Sequence, residues 1–259
     1  MTQTGLGKFR RIVLQGGRSV AAVAIDFIYP PTCPGCQVLL GRHAGICARC
    51  WSYLRFIERP YCEVLGVPFS HDLGAGILSA DAIADPPPFA RLRSAVLHDG
   101  LARTLVHNLK YRDRTDLAPM MAAWMVRAAD GEIEACEVIV PVPLHRYRLF
   151  ARKFNQSAEL ARAIARQTGK PLVLGALQRT RRTKRQIGLS AAARQENVQG
   201  AFSVSQNGKT ALFGKRVLLI DDVYTTGATV SAATRALKRG GGAAEVSVLT
   251  FARALADHI

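Results

Sequence analysis

Apolar residues beyond about residue 100 alternate between helical spacing and short continuous runs. The helical spacing predicts four helices, at 101–109, 115–129, 155–168 and 228–239. Continuous runs rich in branched residues predict four strands, at 138–140, 172–174, 217–220 and 246–249. Asn155 is a typical N-cap residue for the third helix, and three consecutive glycines end the fourth.

Strands that alternate with helices predict an α/β fold, because parallel strands need crossover connections that are usually helices. We therefore expect a mostly parallel sheet with flanking helices. The first third of the chain differs, since residues 30–72 are rich in Pro, Gly and Cys and a proline run follows at 86–88. The predicted organisation is an N-terminal amphipathic helix over 1–29, a cysteine module over 30–85 and the α/β domain over 86–259.

The predicted N-terminal helix has a basic start and an apolar stretch at 20–25, which Asp26 interrupts. This stretch is far shorter than the roughly 18 residues that a membrane-spanning helix needs. We expect no membrane span and a cytoplasmic protein.

Four of the six cysteines form two close pairs, Cys33-x-x-Cys36 and Cys47-x-x-Cys50. This spacing lets two knuckles present four thiolates to one tetrahedral zinc ion. A closed site of four thiolates is structural, because it has no position open for a substrate. A redox-active dithiol and unliganded cysteines are the alternatives. Cys62 resembles the remnant of another knuckle whose second cysteine is replaced by Leu65, so we expect no metal there. We expect Cys136 to be buried.

The formal net charge of +16 and the pI of about 10.2 predict a polyanionic partner, either a phosphate-rich small molecule or nucleic acid. Much of the charge lies in a basic segment, residues 146–194, with thirteen Lys or Arg residues and one acid, Glu159. Within it, residues 179–186 have no apolar period, which is typical of a loop that closes over a polyanion. A solvated charge run and a groove for single-stranded nucleic acid are the alternatives.

Polar residues follow the predicted strand at 217–220. Asp221 and Asp222 are expected to be exposed at the end of this strand, and small hydroxylated residues lead from there into the next helix. A helix N-terminus with free N–H groups binds a phosphate, while carboxylates accept hydrogen bonds from ribose hydroxyls and bind hard cations. A solvated turn followed by a helix cap is the alternative.

The segment from Val217 to Thr229 resembles the diphosphoribosyl-binding motif of type I phosphoribosyltransferases. The order of motifs along the chain further resembles the ComF family of competence-associated, phosphoribosyltransferase-like proteins with an N-terminal zinc ribbon. The motifs are the cysteine pairs, Pro141-Val-Pro-Leu-His145, Phe154-Asn-Gln156, Gln186-x-x-Leu189 with Arg194 and Asn197, and the final DDVYTTGAT.

This resemblance implies that the chain binds phosphoribosyl pyrophosphate with Mg²⁺ and transfers the phosphoribosyl group to an acceptor. Asp221 and Asp222 would hold the ribose hydroxyls and the cation. The 5-phosphate would bind at Thr225, Thr226, Gly227, Ala228 and Thr229, and the pyrophosphate would face Pro143, Leu144, His145 and Arg146.

Departure of pyrophosphate leaves negative charge on its oxygens, which Arg182 or Lys184 could stabilise. The alternative function is that of a single-stranded DNA-binding protein in DNA uptake. The sequence specifies neither the acceptor nor the oligomeric state.

Overall fold

The computed structural model describes residues 30–41, 45–72, 74–145, 154–180 and 200–255. They belong to two compact units, one ending at Trp51 and the other beginning at Ser52. The helix predicted over 1–29 lies outside the described residues, as do nine of the thirteen Lys and Arg residues of the basic segment.

Short helices precede the sheet, and longer ones follow its strands. The helices are α1 Ala48–Trp51, α2 Ala80–Ala84, α3 Gly100–Tyr111, α4 Ala118–Ala128, α5 Glu132–Ala135, α6 Gln156–Thr168, α7 Gln206–Leu212 and α8 Ala228–Gly241, with a 3₁₀ turn at Thr115–Leu117. The strands are β1 Leu92–Leu97, β2 Val138–Pro141, β3 Leu177–Arg179, β4 Phe202–Val204, β5 Arg216–Tyr224 and β6 Glu245–Arg253. No helix in these described ranges is long and apolar enough to cross a membrane.

The central sheet has the strand order β1-β6-β5-β2, and each neighbouring pair is parallel. Strand β5 lies between β6 and β2, with Leu219 opposite both Val248 and Val140. The inner strands are almost wholly buried, which explains their continuous apolar runs. The predicted α/β fold with a mostly parallel sheet is confirmed. Strands β3 and β4 form a separate antiparallel pair.

Helices cover the sheet and bury its apolar side chains. Helices α4 and α6 pack on each other and against the strands, with Met121 and Leu160 fully buried. Helix α8 packs against β5 and β6, and its Val230 and Leu237 join a core that includes Leu219. Successive residues of β5 therefore pack into two apolar layers, one on each face of the sheet.

The predicted strands differ from the structure in several places. Strand β1 was missed because two of its six residues are polar, although both are buried: Arg93 pairs with Glu63, and the Ser94 hydroxyl lies 2.7 Å from that of Thr250. The strand predicted at 172–174 is wrong, since Leu172 makes only an isolated bridge to β2. Strand β5 continues to Tyr224, so both aspartates lie within it.

Residues 60–84 pack into the larger unit. The Leu92 N–H donates to the Val64 carbonyl at 2.8 Å, and Cys62 and Leu65 share a core with Leu92. Buried Arg253, at the end of β6, donates to the Leu65 carbonyl. The compact unit that contains the sheet therefore includes residues 60–84.

Candidate functional site

The carboxylates of Asp221 and Asp222 lie near the carboxyl end of β5, where an open α/β sheet binds its ligands. Asp222 is only 8% exposed and Asp221 is half-buried. The expectation that they are exposed at the strand end is wrong, because β5 stays paired with β6 as far as Tyr224 and a lysine covers Asp222. Successive strand residues point to opposite faces, so the two carboxylates have different surroundings.

Asp221 is held by helix α6. Its Oδ1 accepts hydrogen bonds from the Ser157 hydroxyl at 2.8 Å and from the Asp222 N–H at 2.9 Å. Burial, followed by the negative charge of Asp222, raises the pKa of Asp221 to about 7, against the lowering effect of these hydrogen bonds. Asp221 is thus fixed in position and costly to ionise.

Asp222 is paired with a lysine of helix α3. The Lys110 Nζ lies 2.9 Å from Asp222 Oδ2, and the two side chains are 21% and 11% exposed. His98, directly after β1, is close to this pair: burial first, and then the positive charges of Lys110 and Arg103, lower its pKa. The basic side chains of Lys110 and Arg103, both on α3, therefore lie near Asp222 at the carboxyl end of β5.

The turn from β5 into α8 requires a glycine. Gly227 has φ +75° and is the N-cap of α8, and a Cβ added there would lie 2.5 Å from the Tyr224 hydroxyl oxygen. Thr225 and Thr226 are exposed, while Ala228 and Thr229 are half-buried. The first N–H groups of α8 have no acceptor within the helix, so this turn fits a phosphate.

The loop after β2 lies beside these elements. The Val142 N–H donates to the Ile220 carbonyl at 2.9 Å, and Asn155 Nδ2 donates to the Val142 carbonyl at 2.9 Å. The Asn155 side chain also caps α6, as predicted. His145 is buried, whereas Pro143 and Leu144 are half-buried. The remaining predicted anion-binding residues, Arg146, Arg182 and Lys184, lie outside the described residues.

The Asp222 carboxylate fits a hard divalent cation such as Mg²⁺. Carboxylate oxygens are the ligands that this ion prefers. Asp222 already has a cationic group 2.9 Å from its Oδ2, which shows that positive charge fits at this point. When bound, Mg²⁺ would neutralise the charge of a pyrophosphate group.

The smaller unit contains the predicted cysteine cluster. The Sγ atoms of Cys33, Cys36, Cys47 and Cys50 all lie within 4.8 Å of one another. Burial raises the pKa of Cys33, but hydrogen bonds, led by the Cys47 backbone N–H, lower it to about 6. Four converging thiols fit a structural, tetrahedral zinc ion.

A second knuckle surrounds Cys62. The Cys62 N–H donates to the Val67 carbonyl and the Gly66 N–H to the Cys62 carbonyl, both at 2.8 Å, in the same pattern as around Cys33. The other three cluster positions, counted 29 residues further along the chain, are Leu65, Gly76 and Ser79. The backbone of the second knuckle is thus retained, although three of its four metal-ligand positions have no cysteine. Cys136 is buried, as predicted.

Comparison with known families gives two matches along the chain. A double zinc ribbon family model matches residues 24–82, and a phosphoribosyl transferase domain model matches residues 155–258. The DNA utilization protein YhgH of Escherichia coli (strain K12) is 30% identical over 233 residues, which are 87% of this chain and 98% of that protein. The chain belongs to the ComF family.

Other ComF-type relatives give the same result. Competence protein ComFC of Bacillus subtilis (strain 168) is 36% identical over 219 residues, covering 83% of this chain and 87% of that protein. Competence protein F of Haemophilus influenzae is 35% identical over 123 residues, covering 48% of this chain and 53% of that protein. The zinc ribbon and the phosphoribosyltransferase domain are therefore family features, and within the ribbon the four-cysteine cluster supports structural zinc.

In this ComF-family chain, the structure adds two side chains that the sequence did not indicate. Ser157 contacts Asp221 from the first turn of α6, and Lys110 contacts Asp222 from the last turn of α3. From the sequence alone, a lysine in the last turn of a helix is interpreted as a group that stabilises the helix dipole. Only the fold shows that this lysine reaches β5.

Proposed function

We propose that the chain binds phosphoribosyl pyrophosphate with Mg²⁺ at the carboxyl end of β5 and transfers the phosphoribosyl group to an acceptor. The main support is that a half-buried carboxylate, Asp221, and a buried one, Asp222, lie near the end of the strand that leads into the glycine turn before α8. Burying carboxylates costs free energy, so such a pair is typical of a functional site. The match of residues 155–258 to the phosphoribosyl transferase model supports the ligand class.

Each part of the site has a distinct role in this proposal. Asp221 and Asp222 accept hydrogen bonds from the ribose hydroxyls and bind the cation, while the first turn of α8 binds the 5-phosphate. In the transfer, the bond between the anomeric carbon and a pyrophosphate oxygen breaks, and the acceptor donates the electron pair of the new bond. The aspartates stabilise positive charge that develops on the sugar, and the loop after β2 faces the leaving group. Arg182 and Lys184 also stabilise the departing pyrophosphate.

Substitution of Asp222 tests this assignment. We expect Asp222→Asn to weaken Mg²⁺-dependent binding of phosphoribosyl pyrophosphate by at least about tenfold, or ~1.4 kcal/mol, because the amide carries no charge for the cation. Calorimetric titration of both proteins measures the change. Asp116→Asn is the matched control, since Asp116 pairs with Arg114 on the surface. Equal affinity in the wild type and Asp222→Asn would contradict the proposal.

Transfer itself is tested by release of pyrophosphate. The wild type, with phosphoribosyl pyrophosphate and Mg²⁺, is incubated with a panel of bases and phosphate acceptors. We expect an acceptor-dependent release that Asp222→Asn lowers. Tight binding without release for any acceptor would support a binding protein in place of a transferase.

A second candidate function is binding of single-stranded DNA during DNA uptake in the cytoplasm. Relatives are named DNA utilization protein and competence protein, and the net charge of +16 favours a polyanion. The paired cysteines favour a reducing compartment such as the cytoplasm. The same phosphate and ribose site can serve a nucleotide strand as well as the small ligand.

Salt dependence separates the two functions. If the basic segment binds a strand, Arg182→Ala/Lys184→Ala should weaken binding of a short oligonucleotide and lower the salt slope by about 0.7 for each phosphate that is no longer neutralised. If it serves the small ligand, phosphoribosyl pyrophosphate binding or turnover should fall instead. Filter binding across a salt series, with and without phosphoribosyl pyrophosphate as competitor, measures both. We expect competition, and DNA binding that neither change affects would place the strand elsewhere.

A further inference from the structure

The ion pair between Lys110 and Asp222 differs from the surface ion pairs of this protein. Its Nζ to Oδ2 distance is 2.9 Å, and both side chains are largely withdrawn from solvent. The pair of Lys215 and Glu137 has a similar distance, 3.0 Å, but its side chains are 48% and 36% exposed. Coulombic attraction is stronger in the less polar surroundings, so Lys110 neutralises Asp222 far more effectively than a surface lysine would.

Lys110 also lies beside one of the two carboxylate oxygens that could coordinate a cation. A divalent ion coordinated by Asp222 sits about 2 Å from a carboxylate oxygen. An ammonium 2.9 Å from Oδ2 is then close enough to repel it strongly. Arg103 adds to this repulsion. The positive charges of Lys110 and Arg103 both act on His98, which lies beside the same carboxylate.

We propose that Lys110 is an internal counter-ion, which neutralises Asp222 in the ligand-free protein and is displaced when the divalent cation binds. This inference rests on the proposed function, because it takes Asp222 as a cation ligand. The displaced ammonium needs new negative charge, and the phosphate groups of the ligand supply it. Cation and polyanion therefore bind together, and the cation alone binds weakly.

Manganese binding tests the exchange without relying on activity. Mn²⁺ replaces Mg²⁺ at oxygen sites, and electron paramagnetic resonance measures the free ion. In the absence of phosphoribosyl pyrophosphate, we expect Lys110→Met to bind Mn²⁺ at least about tenfold more tightly than the wild type, because the competing charge is gone. Lys110→Arg keeps the charge and should behave like the wild type. Lys215→Met removes a surface lysine and is the matched control.

A second readout is the coupling between the two ligands. In the wild type, phosphoribosyl pyrophosphate should raise the affinity for Mn²⁺ strongly, whereas in Lys110→Met the increase should be small because the cation no longer needs the polyanion. Lys110→Gln, which keeps a hydrogen-bond donor toward Asp222 without the charge, gives the same test if the methionine variant does not fold. Unchanged or weaker Mn²⁺ binding in the folded variants would overturn the inference.

The outcome also separates this inference from the proposed function. If the wild type binds phosphoribosyl pyrophosphate normally but removal of the lysine charge leaves Mn²⁺ affinity unchanged, the counter-ion role is wrong and the function stands. If Mn²⁺ affinity rises as expected but no variant binds phosphoribosyl pyrophosphate, Lys110 is a counter-ion at a site for another ligand.

Discussion

Removing the metal from the four-cysteine cluster is expected to unfold residues 30–51 while the unit that begins at Ser52 stays folded. Within the described part of 30–51, the buried side chains are those of Cys33, Pro34 and Cys50, so the segment has almost no apolar core. Its order must then come from the metal, and structural zinc contributes about 10–16 kcal/mol of apparent binding free energy in small zinc-finger peptides. The larger unit has its own sheet and core and does not depend on this site.

Metal analysis and hydrogen exchange measure this effect. We expect one zinc ion per chain, its loss in Cys33→Ser and Cys50→Ser, and rapid exchange of amides in 30–51 after chelation. Cys62→Ala is the control and should keep its zinc, because Leu65, Gly76 and Ser79 leave Cys62 without partner thiols. Two zinc ions per chain, or slow exchange of 30–51 without metal, would contradict a single structural site.

Replacing Asp221 by asparagine should make the protein more stable but weaken ligand binding by about tenfold or more. Burial and the charge of Asp222 raise the pKa of Asp221 from 3.8 to about 7 in the folded protein. The stability associated with its protonated form is present at acid pH and is lost as the pH rises through about 7. Asparagine avoids this loss. We therefore expect the free energy of unfolding of Asp221→Asn to exceed that of the wild type by an amount on the order of 1–3 kcal/mol at pH 8, after allowance for solvent screening.

Thermal unfolding between pH 5 and pH 8, without added divalent cation, measures the gain, which should grow with pH. Glu137→Gln is a control in which the effect of the substitution on stability should have the opposite sign. Hydrogen bonds from the Arg216 N–H and from Lys215 lower the pKa of Glu137, so its contribution is present at neutral pH and fades as the pH falls. An Asp221→Asn protein that is less stable than the wild type at pH 8 would show that the carboxylate is a structural acceptor.

The sequence predicted those elements whose apolar residues match their period. Helix α6 begins after Asn155, and strands β2, β5 and β6 were each found from their branched apolar runs. Strand β1 was not found, because its buried Arg93 and Ser94 look like surface residues until their partners are known. Both partners are distant in sequence, and no local pattern contains that information.

The candidate site divides in a similar way. The aspartates and the glycine turn were predicted because they are contiguous in sequence and a resemblance covers them. The burial of Asp222 and its contact with Lys110 could not be predicted, since they depend on where α3 lies over the sheet. The predicted roles of Arg182 and Lys184 remain predictions.

The metal-free knuckle affects how this protein can be divided for experiments. In this knuckle, the Leu65 carbonyl accepts a hydrogen bond from the Arg253 guanidinium. The Arg253 Cζ lies 4.8 Å from the centre of the Tyr224 ring, and that ring lies against Gly227. A fragment that starts at residue 86 would remove this support from the turn between β5 and α8 and would leave Leu92 without its contacts to Val64 and Leu65. A fragment that starts at Ser52 keeps the support and omits residues 1–51, which include the cysteine cluster, so it is the better choice for measuring ligand binding by the sheet unit alone.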